Sequence, residues 1–275
     1  MLRVTRDDVV ADPFPHVVKQ GILPDDLFAE LAADFPDASI FEHQKSQSGT
    51  SGSRTGSGFD IYRGDSAFET LTARSPAWAR FHAFINSEAF VEQFRSVFAD
   101  HLDTMGLRID VRASHVDPSY VEPRATMTEH ATFGDKVQTV VNKIMAPIRV
   151  PRPTELFTRL DIHKSMGGYH KSPHTDRPNR LCSLIVYFSD AQAIGLEGGD
   201  LGIFRHRTPR SIEKYERHPR PDAVEQVATL TPRANLGVFF PCSNNSYHGV
   251  TAVTSKGIAR DFLYINVSGR SASLW

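Results

Sequence analysis

Apolar positions in the first hundred residues recur at helical spacing, whereas those after Glu155 alternate as they do in strands. Leu23, Leu27, Leu31 and Phe35 form one stripe, which predicts a helix from about Pro24 to Phe35. Pro24 suits a first helical turn, and Asp25 and Asp26 suit the positive end of the helix dipole. Residues 13–20 read as a short strand before it. Ser75 followed by Pro76 signals a capped helix with Trp78, Phe81 and Ile85 on one face. A further helix over about Ser87–Leu102 turns Phe90, Phe94, Val97 and Phe98 inward. Residues 45–58 are rich in Ser and Gly and have almost nothing to bury, so they read as a flexible loop. In the middle of the chain, 107–113 is a candidate strand and 134–145 a candidate helix.

Past Glu155 the pattern predicts strands at 156–164, 168–175, 181–188, 199–204, 226–231, 235–240, 247–253 and 259–268. Gly, Pro, Asn and Asp punctuate them, and short strands at this spacing suggest a sandwich or barrel. The expected organisation is a single domain over 1–275. Residues 1–105 would be a mostly helical support, and 155–268 a β core interrupted by an insertion at 205–226.

Composition narrows the function classes. Forty per cent hydrophobic residues against 23% charged is enough to fill a core. A formal charge of −1 lacks the basic excess of a nucleic-acid binder, so no nucleic-acid partner is expected. No apolar run is long enough to span a membrane, and the opening residues carry acids where a signal peptide needs an apolar stretch. A cytoplasmic protein is the expectation. Cys182 and Cys242 lie in apolar surroundings and read as buried small hydrophobes.

The chemistry concentrates at three residues. His174 and Asp176 are two positions apart, so a strand sends both side chains to one face. His248 follows on a later strand. Two histidines and one carboxylate leave open positions on one side of a metal, the donor set of non-haem iron(II) oxygenases. The motif YHKSPHTDRPNRLCSLIVYFS is followed by a Gly-Gly-Asp turn, then NLGVFFP, then SYHGVTAV, then RDFLYINVSG.

That order of parts resembles the prolyl-4-hydroxylase-like branch of the 2-oxoglutarate/iron(II) dioxygenase superfamily. The likeness is detailed over residues 155–268, and the opening DPFPHVVKQGILPDDLFAELAADFP also looks like that of many bacterial members. The resemblance implies a mainly β fold with flanking helices around a double-stranded β-helix, a cupin-like jelly roll. It implies His174, Asp176 and His248 as iron(II) ligands, with 2-oxoglutarate and O2 as cosubstrates. It also implies a basic residue on the last core strand for the far carboxylate of 2-oxoglutarate. Arg260 fits, in phase with Tyr264, Asn266 and Ser268, and Lys256 is the alternative. Asp176 stands where halogenating relatives have a small residue, which favours hydroxylation.

Other residues carry weaker signals. The strand 156–164 puts Phe157, Arg159, Asp161 and His163 on one face. Arg159 and His163 then reach cosubstrate or substrate, or Arg159 and Asp161 form a surface pair. Tyr169 and His170 lie in the loop before the ligand pair, Tyr169 as a candidate cosubstrate contact and His170 as a substrate contact. Residues 205–220 carry six Lys or Arg against two Glu. They are either a solvated hairpin or a basic cover, through Arg207 and Arg210, for an acidic substrate. Asn244, Asn245 and Ser246 precede His248 and either orient it or form a turn. The expected substrate is a small molecule. Two readings compete: a cupin-like metalloprotein without 2-oxoglutarate, and a non-catalytic β-sandwich binding module.

Overall fold

The structure, a computed structural model, describes residues 1–41, 58–123 and 151–275. Most of the loop expected at 45–58 and the helix expected at 134–145 lie outside the described residues. Among the described residues, no helix is long and apolar enough to cross a membrane.

Two antiparallel sheets face each other. The larger runs β1 (Val9–Val10), β2 (His16–Gln20), β10 (Leu236–Pro241), β7 (Arg180–Tyr187), β12 (Arg260–Gly269), β5 (Glu155–Ser165) and β3 (Gly58–Ile61), with β4 (His115–Val116) parallel to β5. The smaller runs β6 (Lys171–His174), β11 (His248–Val250), β8 (Leu201–His206) and β9 (Val224–Leu230). Strands late in the chain thus cross between sheets, the winding of a double-stranded β-helix.

Strand alternation assigns the two faces of the larger sheet. On β12, Leu263, Ile265 and Val267 join Leu184 and Val186 of β7 in the core beneath the helices. Phe262 of β12 with Ile185 and Tyr187 of β7 faces Leu201 and Ile203 of the smaller sheet. The helices α1 (Asp25–Ala33), α2 (Ser66–Arg74), α3 (Pro76–Ile85) and α4 (Glu88–Phe98) cover the outer face, and a short α5 spans Ala191–Ile194. Trp78, Phe81, Phe90 and Phe94 are fully buried there. Burying each such ring is worth roughly 2–3 kcal/mol. The Ser75 side chain accepts the Trp78 N–H at the start of α3, and Pro76 occupies the first turn. The Trp78 indole N–H in turn donates to the Leu31 carbonyl, tying α3 to α1.

The observed boundaries differ from the predicted ones by a few residues at most ends. α4 stops at Phe98 and passes into turns through Gly106, short of the expected Leu102. Ile109 makes only an isolated bridge to Arg152, so 107–113 is not a strand. The strand expected at 168–175 shrinks to β6, and a turn at Gly168, which has φ +85°, precedes it. The sheet also recruits the N-terminal region, because β2 pairs with β10 and β3 with β5. The first hundred residues therefore complete the sheet as well as covering it.

Candidate active site

The site lies between the sheets. Antiparallel pairing of β6 with β11 sets His174 directly opposite His248, with ring centroids 4.5 Å apart. Cross-strand neighbours share a face, so both imidazoles project into the same space. Asp176 follows β6 by two residues. The ligand atoms of His174, Asp176 and His248 all lie within 4.8 Å of one another. Among the described residues no other trio of such groups meets that criterion.

Each histidine is oriented through its Nδ1. That of His174 lies 2.8 Å from the Ser172 carbonyl and that of His248 3.1 Å from the Ser246 carbonyl. Nδ1 donates to the carbonyl, which leaves Nε2 as the lone-pair donor. Burial, reinforced by neighbouring His248, pushes the His174 imidazole down to about 3, so it is neutral near pH 7. The Ser243 and Ser246 hydroxyls hydrogen-bond each other 2.8 Å apart in the loop before His248.

Asp176 is enclosed by donors from the larger sheet. Its Oδ1 accepts the Tyr264 hydroxyl at 2.7 Å and faces an Arg180 nitrogen at 3.5 Å. Its Oδ2 accepts the Ser183 hydroxyl at 2.7 Å and the Cys242 thiol at 3.3 Å. The Ser183 oxygen is also 2.8 Å from Asn266 Oδ1. With one proton, the hydroxyl serves one of the two oxygens at a time. Burial alone would raise the Asp176 carboxyl, but Arg180, His248, His174 and Ser183 hold it well below the ordinary carboxylate range. Burial pushes the Tyr264 phenol and the Cys242 thiol well up, so both remain donors.

Arg260 opens β12 on the inner face and is 1% exposed. One terminal nitrogen donates to the Tyr187 hydroxyl at 3.1 Å, while Nε and the other terminal nitrogen are buried without a partner. Its guanidinium lies 4.2 Å from the centre of the Phe262 ring. Gly199 makes room for it. A Cβ there would come within 2.9 Å of Arg260 Cδ, and the φ of +75° also favours glycine. Lys256 is exposed and does not share this position.

The weaker candidates separate. Arg159 does face inward, and it is already occupied. Its Nε donates to Asp161 at 2.7 Å, Glu122 and Asp60 lie at 3.4 and 3.6 Å, and the Tyr62 ring is 3.9 Å away. The Arg159–Asp161 pair is therefore a buried one, in contrast to the surface pair considered from sequence, because β5 pairs residue for residue with the inner face of β12. His163 stacks on Phe262 at 4.8 Å and 9°, and its Nδ1 is buried without a partner. Burial pushes this imidazole down to about 4. Tyr169 is buried against Ala191, Leu196 and Val253. His170 is exposed, with Nδ1 3.1 Å from the Gly168 carbonyl.

The basic segment after β8 is not a free positive cover. Arg207 pairs with Glu225, and Arg210 is largely buried against Glu216. Other residues of this segment meet the site. The Thr175 N–H donates to the Arg217 carbonyl at 2.9 Å, the Tyr215 hydroxyl reaches the Asp176 carbonyl at 3.4 Å, and the His218 ring stacks 6.0 Å from His174. Beside them Arg177 faces Glu122 at 3.5 Å. Burial and the nearby guanidiniums of Arg180, Arg217 and Arg159 lower Arg177 against the pull of Glu122.

Sequence reasoning missed the partners of Asp176 and Arg260, namely Tyr264, Arg180, Ser183, Cys242 and Tyr187. The phase of Tyr264 with Arg260 was the available signal. The identity of its partner depended on the β7–β12 register.

Residues 160–267 match the family model of the 2OG-Fe(II) oxygenase superfamily. A search of curated protein sequences finds no match. Among solved structures, a prolyl 4-hydroxylase from Phytophthora capsici is similar at 13% identity and a TM-score of 0.46, over 93% of this chain and 59% of that one. The chain thus spans less than two thirds of that protein. A Pseudomonas putida prolyl-4-hydroxylase is similar at 15% identity and a TM-score of 0.45, over 93% of both chains. A Trichoplax adhaerens prolyl hydroxylase, in complex with a hypoxia inducible factor peptide fragment, is similar at 10% identity and 0.45, over 92% of this chain and 83% of that one. The segment that carries the His–Asp–His cluster and Arg260 is thus the one that matches the 2OG-Fe(II) oxygenase superfamily, whose members use Fe(II), 2-oxoglutarate and O2.

Proposed function

We propose that the protein hydroxylates an unactivated C–H bond of a small molecule, with His174, Asp176 and His248 holding iron(II) and Arg260 binding the far carboxylate of 2-oxoglutarate. The observation that carries this reading is the buried Arg260 guanidinium with two unpartnered nitrogens. An isolated buried cation is costly, and a carboxylate is the natural anion to satisfy a guanidinium fork. Tyr187 presents a hydroxyl beside the same guanidinium, and the 2-oxoglutarate carboxylate would share both donors.

The donor chemistry at the other end fits iron(II): two imidazoles whose Nδ1 faces a backbone carbonyl, which turns Nε2 to the metal, and one carboxylate held ionised. The bound metal and 2-oxoglutarate supply the oxidising power, with succinate and carbon dioxide released. The residues of the chain hold and orient. Ser172 and Ser246 fix the imidazole rings through their carbonyls. Tyr264, Ser183 and Cys242 occupy lone pairs of Asp176 and restrict the ways in which it can turn. Phe262, Ile185 and Ile203 keep the floor of the site apolar and limit water. In this reading the whole chain forms one catalytic domain, with the helices buttressing the larger sheet.

The test is an anaerobic titration of metal-free protein with iron(II) and then 2-oxoglutarate, following the visible charge-transfer band. The band is expected in the wild type and is expected to vanish in His174→Ala. Metal binding without the band would favour a cupin-like metalloprotein that does not use 2-oxoglutarate. Absence of metal binding would favour a non-catalytic module.

A further inference from the structure

Beside the iron-ligand cluster four guanidiniums gather, with Arg159, Arg180 and Arg217 all close enough to act on Arg177. The carboxylates that face them among the described residues are Asp60, Glu122, Asp161 and Asp176. With Asp176 committed to a metal, three acids among the described residues remain against four arginines. Arg159 takes most of their charge, through contacts to Asp161, Glu122 and Asp60. Arg180 turns to Tyr264, Asn266 and Asp176. Among the described residues Arg177 pairs only with Glu122, at 3.5 Å, a carboxylate it shares with Arg159, and its side chain is 30% exposed. The Nε of Arg217 is buried with no partner.

These two arginines are fixed in place. Arg177 follows Asp176 in the chain, and the Arg217 carbonyl is clamped by the Thr175 N–H at 2.9 Å. The segment bearing Arg217 is also anchored a few residues before it. The Asn244 side chain donates to the Ile212 carbonyl at 2.7 Å, and Arg108 pairs with Glu213. Both residues therefore border the ligand loop, and among the described residues one positive charge of the group is left over. Buried or half-buried like charges repel, so this arrangement gains from an anion that bridges them.

We propose that Arg177 and Arg217 form the substrate-recognition site and that the substrate is a small carboxylate, held by its anionic group while its C–H bond is presented to the metal. One surplus positive charge matches a monoanion, and a guanidinium fork matches a carboxylate in shape. This rests on the oxygenase reading above and deepens it. It also moves the acidic-substrate contact from Arg207 and Arg210, which face Glu225 and Glu216, to two arginines that border Asp176 and its loop.

The test uses protein loaded anaerobically with iron(II) and saturated with 2-oxoglutarate, so that Arg260 is already occupied. A panel of free L-amino acids and the matching L-amino-acid amides is titrated in, reading perturbation of the visible band. The expected result is that at least one acid binds about tenfold or more tighter than its amide. Arg217→Gln and Arg177→Gln are expected to abolish most of that preference, and Arg217→Lys to restore part of it. Both Gln variants should still form the band at unchanged 2-oxoglutarate concentration, which also shows that they are folded. Equal binding of acid and amide, full preference in both Gln variants, or no binding of any panel member at about 10 mM would overturn the proposal. Failure of the band to form in the wild type would instead overturn the oxygenase reading, so the two failures are distinct.

Discussion

The Tyr264 hydroxyl donates to Asp176 Oδ1 across 2.7 Å, joining the last strand of the larger sheet to the carboxylate of the candidate metal site. The phenol is buried and protonated, so it acts as a fixed donor. Tyr264→Phe removes that donor with little change in volume. Outer partners of this kind are worth roughly 10–100-fold in metal affinity. The expected outcome is iron(II) affinity lowered in that range with the 2-oxoglutarate requirement nearly unchanged. Competition against a metal chelator measures the first and the visible band the second.

Arg260→Ala should do the opposite. Loss of a charge-assisted pair costs about 3 kcal/mol, roughly a hundredfold in 2-oxoglutarate affinity. Iron(II) affinity should move little. Asp176→Ala, by contrast, should lose iron well beyond the range expected for Tyr264→Phe. Equal effects of Arg260→Ala on both ligands would remove the role assigned to Arg260.

His163 sets an acid limit on stability. Its buried imidazole is pushed from 6.5 down to about 4, so the folded state binds fewer protons than the unfolded state between those values. Stability from this group is fully present above pH 6.5 and is lost as pH falls toward about 4. Asp161 acts in the reverse sense. Burial raises it from 3.8 to about 6, so its contribution is present at low pH and is lost as pH rises through that window. Wild-type stability alone therefore mixes the two. The difference between wild type and His163→Phe isolates the histidine: in urea titrations, the variant should lose less stability on going from neutral pH to about pH 4.5. Parallel profiles would refute the assignment.

Asn235 carries a fold contact between distant parts of the chain. It adopts φ 61° and is buried, and its side chain accepts the Leu23 N–H and donates to the Leu23 carbonyl, each at 3.0 Å. Asn235→Ala leaves two backbone groups without partners and strains the left-handed backbone. The expected loss is about 3 kcal/mol, or roughly 8 °C in Tm. Asn235→Gly relieves the backbone strain but not the lost bonds, so it should fall between the two. Scanning calorimetry decides the order.

What could be read from the chain divides along physical lines. The strands after Glu155 and the helices at Pro24 and Pro76 follow local rules of alternation, apolar stripe and cap, and they occur within a few residues of the expected positions. His174, Asp176 and His248 stood out because few residue types ligate metals and because a spacing of two selects one face of a strand. The setting of Asp176 was not legible. Ser183, Cys242 and Tyr264 reach it from strands whose pairing is fixed by the whole sheet, and a one-residue slip of β12 would turn Tyr264 outward. The occupation of Arg210 by Glu216 was equally hidden, because a charge run shows composition and not which opposite charges fold onto it. α2 and β3 escaped notice because they are short and weakly patterned.

The two halves of the site come from different sheets. His174 and His248 belong to the smaller sheet, whereas the partners that grip Asp176 stand on β7, β12 and the end of β10 in the larger one. A cation bound by all three ligands would therefore rivet the sandwich shut at that point. Loading it would raise the cost of any breathing motion that parts the sheets, and the strands β6 and β11 would be the first to gain protection from hydrogen exchange. The mechanical integrity of the mouth of the barrel and its readiness for chemistry would then rise and fall together.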